Sequence, residues 1–256
     1  MLKGAVALVT GGGSGLGKAA VERFVQQGSR VILCDLPASK GSEVAKSFSD
    51  DQVLFAPVNI VNESDVTNAL TLAKEKFGKL NYLVNCAGIG CAFKLYNFKK
   101  KQPHLLDDFA KVVQVNTIGT FNVIRLSVGL IGENEPDKNG ERGVVINTAS
   151  IAAYDGQMGQ VAYAASKGAV VSMTLPLARD LASQGIRVVT IAPGLFRTPL
   201  LAALPEKVIA FLENSVPFPS RLGDPTEFAQ MVESVIQNPM LNGETIRLDG
   251  ALRMQP

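Results

Sequence analysis

The stretch Ala5-Val6-Ala7-Leu8-Val9-Thr10-Gly11-Gly12-Gly13-Ser14-Gly15-Leu16-Gly17 decides the architecture. Its first six residues are short-chained, apolar and β-favouring, and they stop at three glycines, as a strand buried in a parallel sheet does. Helical periodicity then runs from Gly15 to Gln27. A strand that ends in a glycine-rich turn and passes straight into a helix is suited to a pyrophosphate. Glycine permits the tight turn and the close backbone approach, and the helix N-terminus faces the negative charge. A glycine-rich match alone is weak, because such turns also end ordinary strands. Here the strand before and the helix after are both present, which makes Gly11, Gly15 and Gly17 candidate contacts of a dinucleotide.

The alternation continues outward. Val31–Leu33, Val53–Val58, Leu80–Val84, Val144–Asn147, Val188–Ala192 and Thr245–Leu248 read as further strands. Helices fit Ser39–Phe48, Glu63–Phe77, Leu106–Leu130, Gln160–Ser183 and Pro225–Gln237. Strands alternating with helices of this length predict a single-domain α/β fold over residues 1–256. The sheet should be doubly wound and parallel, with about seven strands and helices on both faces. Two segments, Cys91–His104 and Gly132–Gly143, resist the alternation and read as surface loops.

Asp35 ends the second predicted strand, 18 residues after Gly17, close to the ~20 expected of an acid that binds the adenosine ribose. Its carboxylate would accept hydrogen bonds from ribose hydroxyls and repel a 2′-phosphate. No Lys or Arg lies within the turn and Leu36 follows the acid, so NAD is preferred over NADP. The bland reading is a strand-end Asp that caps a turn.

Tyr163 and Lys167 are four apart on one face of a predicted helix. A free phenol, with a pKa near 10, is a poor base at neutral pH. A neighbouring ammonium favours the phenolate electrostatically. Tyr163 could then exchange a proton with an alcohol oxygen as hydride leaves or joins its carbon. Such a pair is more often a solvated helix face. Ser150, thirteen residues upstream at a strand end, raises the signal because its hydroxyl could hold the same oxygen. Tyr154 is the competing phenol, but position 158 is Met and offers no ammonium.

Composition narrows the alternatives. The chain has 256 residues, long enough for a core without staples, and it is 46% hydrophobic and 19% charged, as globular proteins are. A net charge of +2 gives no general attraction to nucleic acid or membranes, and no nucleic-acid motif is evident. No run of about 18 apolar residues is free of charges and amides, which argues against a membrane span. Cys34, Cys86 and Cys91 are an odd set without CxxC spacing, so neither disulfides nor a metal site is expected. The single His104 reads as a loop or helix-start residue, and a Ser-His-Asp triad is a poor fit.

Together these residues resemble the short-chain dehydrogenase/reductase family along the whole chain. The motifs are Thr10–Gly17, Asn85-Cys86-Ala87-Gly88, Asn116, Ser150, Tyr163-x-x-x-Lys167 and Pro193-Gly194. The resemblance implies a Rossmann-type fold, with Tyr163 as general acid/base, Ser150 orienting the substrate oxygen, Lys167 on the nicotinamide ribose and Asn116 holding a relay water. It implies cofactor contacts at Ser14, Leu16, Asp35, Cys86, Tyr163, Lys167, Phe196 and Thr198, with Asn59 and Ile60 beside the adenine. It places Gln157 with Ser150 and Tyr163 on the substrate side. Asn59 departs from the usual Asp there, and Cys86 from the commoner second Asn.

The insert 91–104, the loop Glu133–Arg142 and the ending Ile246–Ala251 resemble members that oxidise (S)-3-hydroxyacyl-CoA with NAD and act also on hydroxysteroids and branched short-chain acyl-CoAs. Lys99–Lys101, or Arg197, would then meet CoA phosphates. A solvated charge run is the plain alternative for the lysines. Segment 204–218 resembles a mobile substrate lid. The resemblance further implies a homotetramer, a mitochondrial location and a methyltransferase partner in tRNA processing. Two alternatives to the acyl-CoA reading follow: a non-catalytic subunit of that complex, or a generic 3-oxoacyl reductase.

Overall fold

A computed structural model describes residues 2–202 and 205–255. In chain order the first half runs β1 (Val6–Thr10), α1 (Gly15–Gln26), β2 (Arg30–Asp35), α2 (Gly41–Ala45), β3 (Val53–Pro57), α3 (Glu63–Phe77) and β4 (Tyr82–Asn85). A two-stranded hairpin of β5 (Tyr96–Asn97) and β6 (Gln102–Pro103) follows, and then α4 (Leu106–Val113) and α5 (Thr120–Gly132). The second half holds β7 (Gly143–Thr148), α6 (Val161–Leu181), β8 (Ile186–Pro193), α7 (Pro199–Ala202), α8 (Glu206–Ser215), α9 (Pro225–Gln237) and β9 (Thr245–Leu248).

Seven strands pair in parallel in the order β3-β2-β1-β4-β7-β8-β9. Strand alternation divides the core between the two faces. Ala7, Val9, Val31 and Leu33 pack with Phe24 of α1 and Phe228 and Val232 of α9. Val6, Leu8, Ile32 and Cys34 face the other way, against Val66 and Leu70 of α3 and Val123 and Ile124 of α5. The strand order reverses between β1 and β4, and an open parallel sheet leaves a crevice at that point, beyond the carboxyl ends of its strands.

Caps explain which boundaries the sequence marks well. Asn62 accepts hydrogen bonds from the Ser64 and Asp65 N–H groups, and Gly78 ends α3 in the left-handed conformation. Asp224, Pro225 and Glu227 form a capping box at the start of α9. Three expectations are corrected. The helix expected over Leu106–Leu130 is interrupted by a π-helical turn at Gln114–Gly119. The helix expected over Ser39–Phe48 keeps only Gly41–Ala45. Segment 91–104 is not a plain loop but carries the β5–β6 hairpin. In its turn the Asn97 Oδ1 accepts from Lys100 N at 3.0 Å, and Lys101 takes a positive φ of 52°.

Segment 132–143 does lie at the surface, yet it is anchored. Glu141 pairs with the buried Arg187 at 2.6 Å, and the Arg187 guanidinium also donates to the Val235, Ile236 and Leu241 carbonyls at the end of α9. A buried cation is tolerable only when paired and hydrogen-bonded like this. Helices 106–132 and 161–184 are long and apolar enough to cross a membrane. In this fold half of the first apolar window and a third of the second are buried against the protein.

Candidate active site

The cofactor side is assembled where β1, β4 and β7 end. Gly11 has φ +68°, and a Cβ there would lie 2.8 Å from the Ala87 backbone nitrogen. A Cβ on Gly17 would run into the Gly11 carbonyl oxygen. Only glycine allows α1 to begin so close to the preceding turn. Ser14 stands at the N-cap of α1 without a capping side-chain hydrogen bond, so the start of α1 is not closed by its own cap. Thr10 Oγ1 accepts from the Cys86 and Ala87 N–H groups at 3.2 Å, which locks the β4 exit onto the β1 exit.

Asp35 lies where its spacing places it. Its Oδ2 accepts from Gly13 N at 2.8 Å and its Oδ1 from Leu36 N at 2.7 Å. The carboxylate is therefore fixed beside the glycine turn, where it could receive two ribose hydroxyls. Thr198 approaches the same turn, with Cγ2 3.3 Å from where a Gly15 Cβ would stand. Phe196 is buried and forms an isolated parallel bridge with Gly223. Asn59 is exposed, and its Oδ1 accepts from Val61 N at 3.3 Å. Ile60 is buried in the core face, close to Gly119, so its side chain serves packing as well as any adenine contact. The Cys86 thiol is pushed up to about 11 by burial and accepts from Thr148 Oγ1 at 3.5 Å. It behaves as a packed residue rather than a redox thiol.

The reactive groups come from α6, the end of β7 and the π-helical turn. Ser150 caps the short 3-10 turn Ile151–Ala153 and hydrogen-bonds the Tyr163 phenol. Lys167 is 6% exposed, and its Nζ donates to the Thr148 carbonyl at 2.8 Å and lies 5.9 Å from the Tyr163 ring centroid. Burial brings the Lys167 ammonium down to about 8. Burial also raises the Tyr163 phenol, against a lowering by the Ser150 hydrogen bond. Spacing alone suggests a lowered phenol; in the fold it is shifted upward, because desolvation by burial outweighs the Ser150 hydrogen bond.

Asn116 is fully buried. Its Oδ1 accepts from Ile89 N at 2.8 Å, and its Nδ2 donates to the Ile89 carbonyl at 2.9 Å and to Ser166 Oγ at 3.0 Å. Satisfying these partners coincides with the π-helical turn, a feature often found at functional sites. A Cβ on Gly88 would stand 3.1 Å from Asn116 Oδ1 and 3.5 Å from Lys167 Nζ, so the two polar ends converge beside β4. Sequence reasoning missed the Thr148 carbonyl and Ser166. A main-chain acceptor leaves no trace in residue identity, and Ser166 stood unused inside the Tyr163–Lys167 motif.

On the substrate side, Ala92, Gln157, Met158 and Gln160 line an open cleft of about 290 Å³. Gln157 Nε2 is engaged with the Gln255 carbonyl at 2.9 Å. The predicted lid contains α8 with Pro205 at its N-cap; Leu204 lies outside the described residues. Arg197 pairs with Glu213 of α8 at 3.1 Å. Lys99, Lys100 and Lys101 are exposed at the hairpin tip. His104 sits at the foot of the hairpin, 5.5 Å from the Phe93 ring, with its N–H on the Leu95 carbonyl.

A parallel sheet whose order reverses between β1 and β4, with Ser150, Tyr163 and Lys167 gathered at the β7 and α6 side, is the fold of an oxidoreductase class. The short chain dehydrogenase family matches residues 5–208, and the chain belongs to that family. It is 62% identical over 256 residues to 3-hydroxyacyl-CoA dehydrogenase type-2 of Drosophila melanogaster, covering all of both chains. Identity to the Homo sapiens protein of that name is also 62%, over all of this chain and 97% of the relative. A 3-hydroxyacyl-CoA dehydrogenase type-2 structure from Mycobacterium avium superposes with a TM-score of 0.94 at 42% identity, covering 99% of this chain and 97% of that one. A 3-ketoacyl-(acyl-carrier-protein) reductase from Brucella melitensis complexed with NADH gives 0.85 at 32% identity, covering 99% and 100%.

Proposed function

We propose that the chain interconverts (S)-3-hydroxyacyl-CoA and 3-oxoacyl-CoA with NAD, with side activity on hydroxysteroids and branched short-chain acyl-CoAs. The observation that carries this is the 62% identity to 3-hydroxyacyl-CoA dehydrogenase type-2 over the entire length, so the hairpin and lid segments fall within the matched region as well as the dinucleotide crevice.

The residues fit a bound dinucleotide. Gly11, Ser14, Gly15, Leu16 and Gly17 would face the pyrophosphate, Asp35 the adenosine ribose, Asn59 and Ile60 the adenine, and Cys86, Phe196, Thr198, Tyr163 and Lys167 the nicotinamide half. A bound nicotinamide dinucleotide would supply the hydride acceptor in oxidation and the hydride donor in reduction. Ser150 donates to the substrate oxygen and fixes it beside Tyr163. In reduction the Tyr163 phenol gives its proton to that oxygen; in oxidation the phenolate takes one. Lys167 holds positive charge under the ring, and Asn116 with the Ile89 backbone orients a water behind it. The exposed Lys99–Lys101, or Arg197, would meet CoA phosphates. Lid 204–218 would close over the acyl chain.

The apolar residues left exposed on the long helices, Ile118, Phe121, Val161 and Leu175, support a homotetramer built through them. A mitochondrial location is proposed from the relatives alone. The deciding assay is NADH consumption with acetoacetyl-CoA, run beside NADPH and beside Tyr163→Phe. Turnover should be NADH-selective and fall about 10³-fold or more in the variant, since the proton donor is lost. NADH binding without turnover in the native chain would defeat the acyl-CoA reading. Retained co-purification of a methyltransferase with a catalytically dead Tyr163→Phe chain would then favour the structural-subunit alternative.

A further inference from the structure

Between Ser150 and the start of α6 the chain forms a strap, residues 151–160, whose Gln157, Met158 and Gln160 line the open cleft with Ala92. The strap has one short 3-10 turn and no strand partner. Its tertiary hydrogen bonds run to two other parts of the molecule. The insert grips one end, through Phe93 N donating to the Gly159 carbonyl at 2.8 Å. The C-terminal segment grips the other. Arg247 of β9 donates from Nη2 to Asp155 Oδ2 at 2.6 Å and from Nη1 to Asp155 Oδ1 at 3.3 Å. Its guanidinium carbon also lies 5.3 Å from the Tyr154 ring centroid. The same guanidinium donates from Nε to Asp249 Oδ2 at 2.7 Å and from Nη2 to the Leu252 carbonyl at 2.9 Å. Gln157, the next strap residue with a tertiary bond, donates to the Gln255 carbonyl.

We propose that Arg247 is a positioning residue for substrate: by clamping Asp155 it holds strap 151–160 and so sets the wall of the cleft lined by Gln157, Met158 and Gln160. This rests on the acyl-CoA reading for the identity of the substrate, though not for the clamp itself. The chemistry of the contact requires arginine. One planar guanidinium spans two carboxylates, a carbonyl and an aromatic face at once, which a single ammonium cannot do. The Arg247 side chain is 20% exposed, Asp155 17% and Asp249 7%, so water replaces the cation poorly. Without it, Asp249 keeps Arg253 at 3.1 Å, whereas Asp155 loses both guanidinium hydrogen bonds that tie the strap to β9. Ser150 directly follows Ala149, whose N–H donates to the Ile191 carbonyl of β8 at 2.8 Å, and Tyr163 lies in α6, so both are anchored outside the strap and the chemical step should survive.

The test is Arg247→Gln beside Arg247→Lys, with steady-state kinetics on acetoacetyl-CoA, NADH affinity by fluorescence and amide hydrogen exchange. Arg247→Gln should raise KM for acetoacetyl-CoA about tenfold, the scale of a modest misplacement of a binding wall, with kcat within about twofold and NADH affinity unchanged. Exchange should quicken across 151–160 and not at 11–17. Arg247→Lys should recover only part of the loss. If Arg247→Gln does not fold, Asp155→Asn should show the same pattern at smaller size. Unaltered kinetics, a parallel loss of NADH affinity, or exchange that quickens evenly across the sheet would each overturn the clamp. Should the native chain not turn over acetoacetyl-CoA, the proposed reaction fails, and the exchange comparison still decides the clamp.

Discussion

The two ends of the candidate site are built in opposite ways. At the glycine-turn end, the exits of β1, β2 and β4 are locked by close contacts: glycines packed on backbone, Thr10 bridging to β4, and Asp35 held by the Gly13 N–H of the glycine turn. At the other end, the insert, the strap and α8 are surface segments with few ties: one backbone hydrogen bond from Phe93 to Gly159 and a small apolar cluster of Ile151, Val216 and Leu252. Phe98 is 84% exposed and Phe218 83%, and Arg197–Glu213 joins the segment after β8 to α8 through a surface pair. The first arrangement leaves the cofactor little latitude. The second leaves surface segments with more freedom to adjust to what binds beside them.

That contrast can be broken first at Asp35. Exchanging it in Asp35→Ser with Leu36→Arg removes the repulsion and supplies a cation for a 2′-phosphate. The NADPH-to-NADH ratio of kcat/KM should rise roughly 100-fold, the scale of a charge-assisted hydrogen-bond pair. An unchanged ratio would show that Asp35 does not read the ribose.

The junction of the two ends is tested by pH. The Lys167 ammonium lies near 8 in the folded chain against 10.5 for an ordinary lysine. Above about pH 8 the folded chain has released a proton that the unfolded chain still holds, so raising the pH favours folding through this group. From pH 8 to 9 the native chain should gain about 1 kcal/mol relative to Lys167→Met. Chemical denaturation at the two pH values measures this, and parallel curves for the two proteins would contradict it.

The smallest effect belongs to the hairpin. Replacing Lys99, Lys100 and Lys101 with Ala should raise KM for the CoA ester several-fold, the order expected of exposed ion pairs, and less so at high salt. A hydroxysteroid should be unaffected. Equal effects on both substrates would return the lysines to a solvated charge run.

Much of this was legible in residue order. β9, α3 and α9 match their expected limits because the signals are local: Asn62 and Gly78 around α3, and the capping box at Asp224. Asp35 and the glycine turn were legible for the same reason, since strand, turn and helix are contiguous. The overrun at Leu106–Leu130 has a different origin. The apolar pattern continues smoothly through the π-helical turn, and what widens that turn is Asn116 bonding to Ile89, 27 residues earlier. The β5–β6 hairpin was missed because two-residue strands are too short for any alternation to show.

Sequence by itself therefore determined the alternating parallel sheet, the dinucleotide turn, the acid beside it and the Ser–Tyr–Lys set, because each depends on spacing within a few turns of chain. Only the tertiary structure decided that the Tyr163 phenol is shifted up rather than down, that Lys167 rests on the Thr148 carbonyl, and that Arg247 meets Asp155 from 92 positions away. Burial and long-range pairing are properties of the closed fold, and the free energy of a charge depends on what surrounds it rather than on what precedes it.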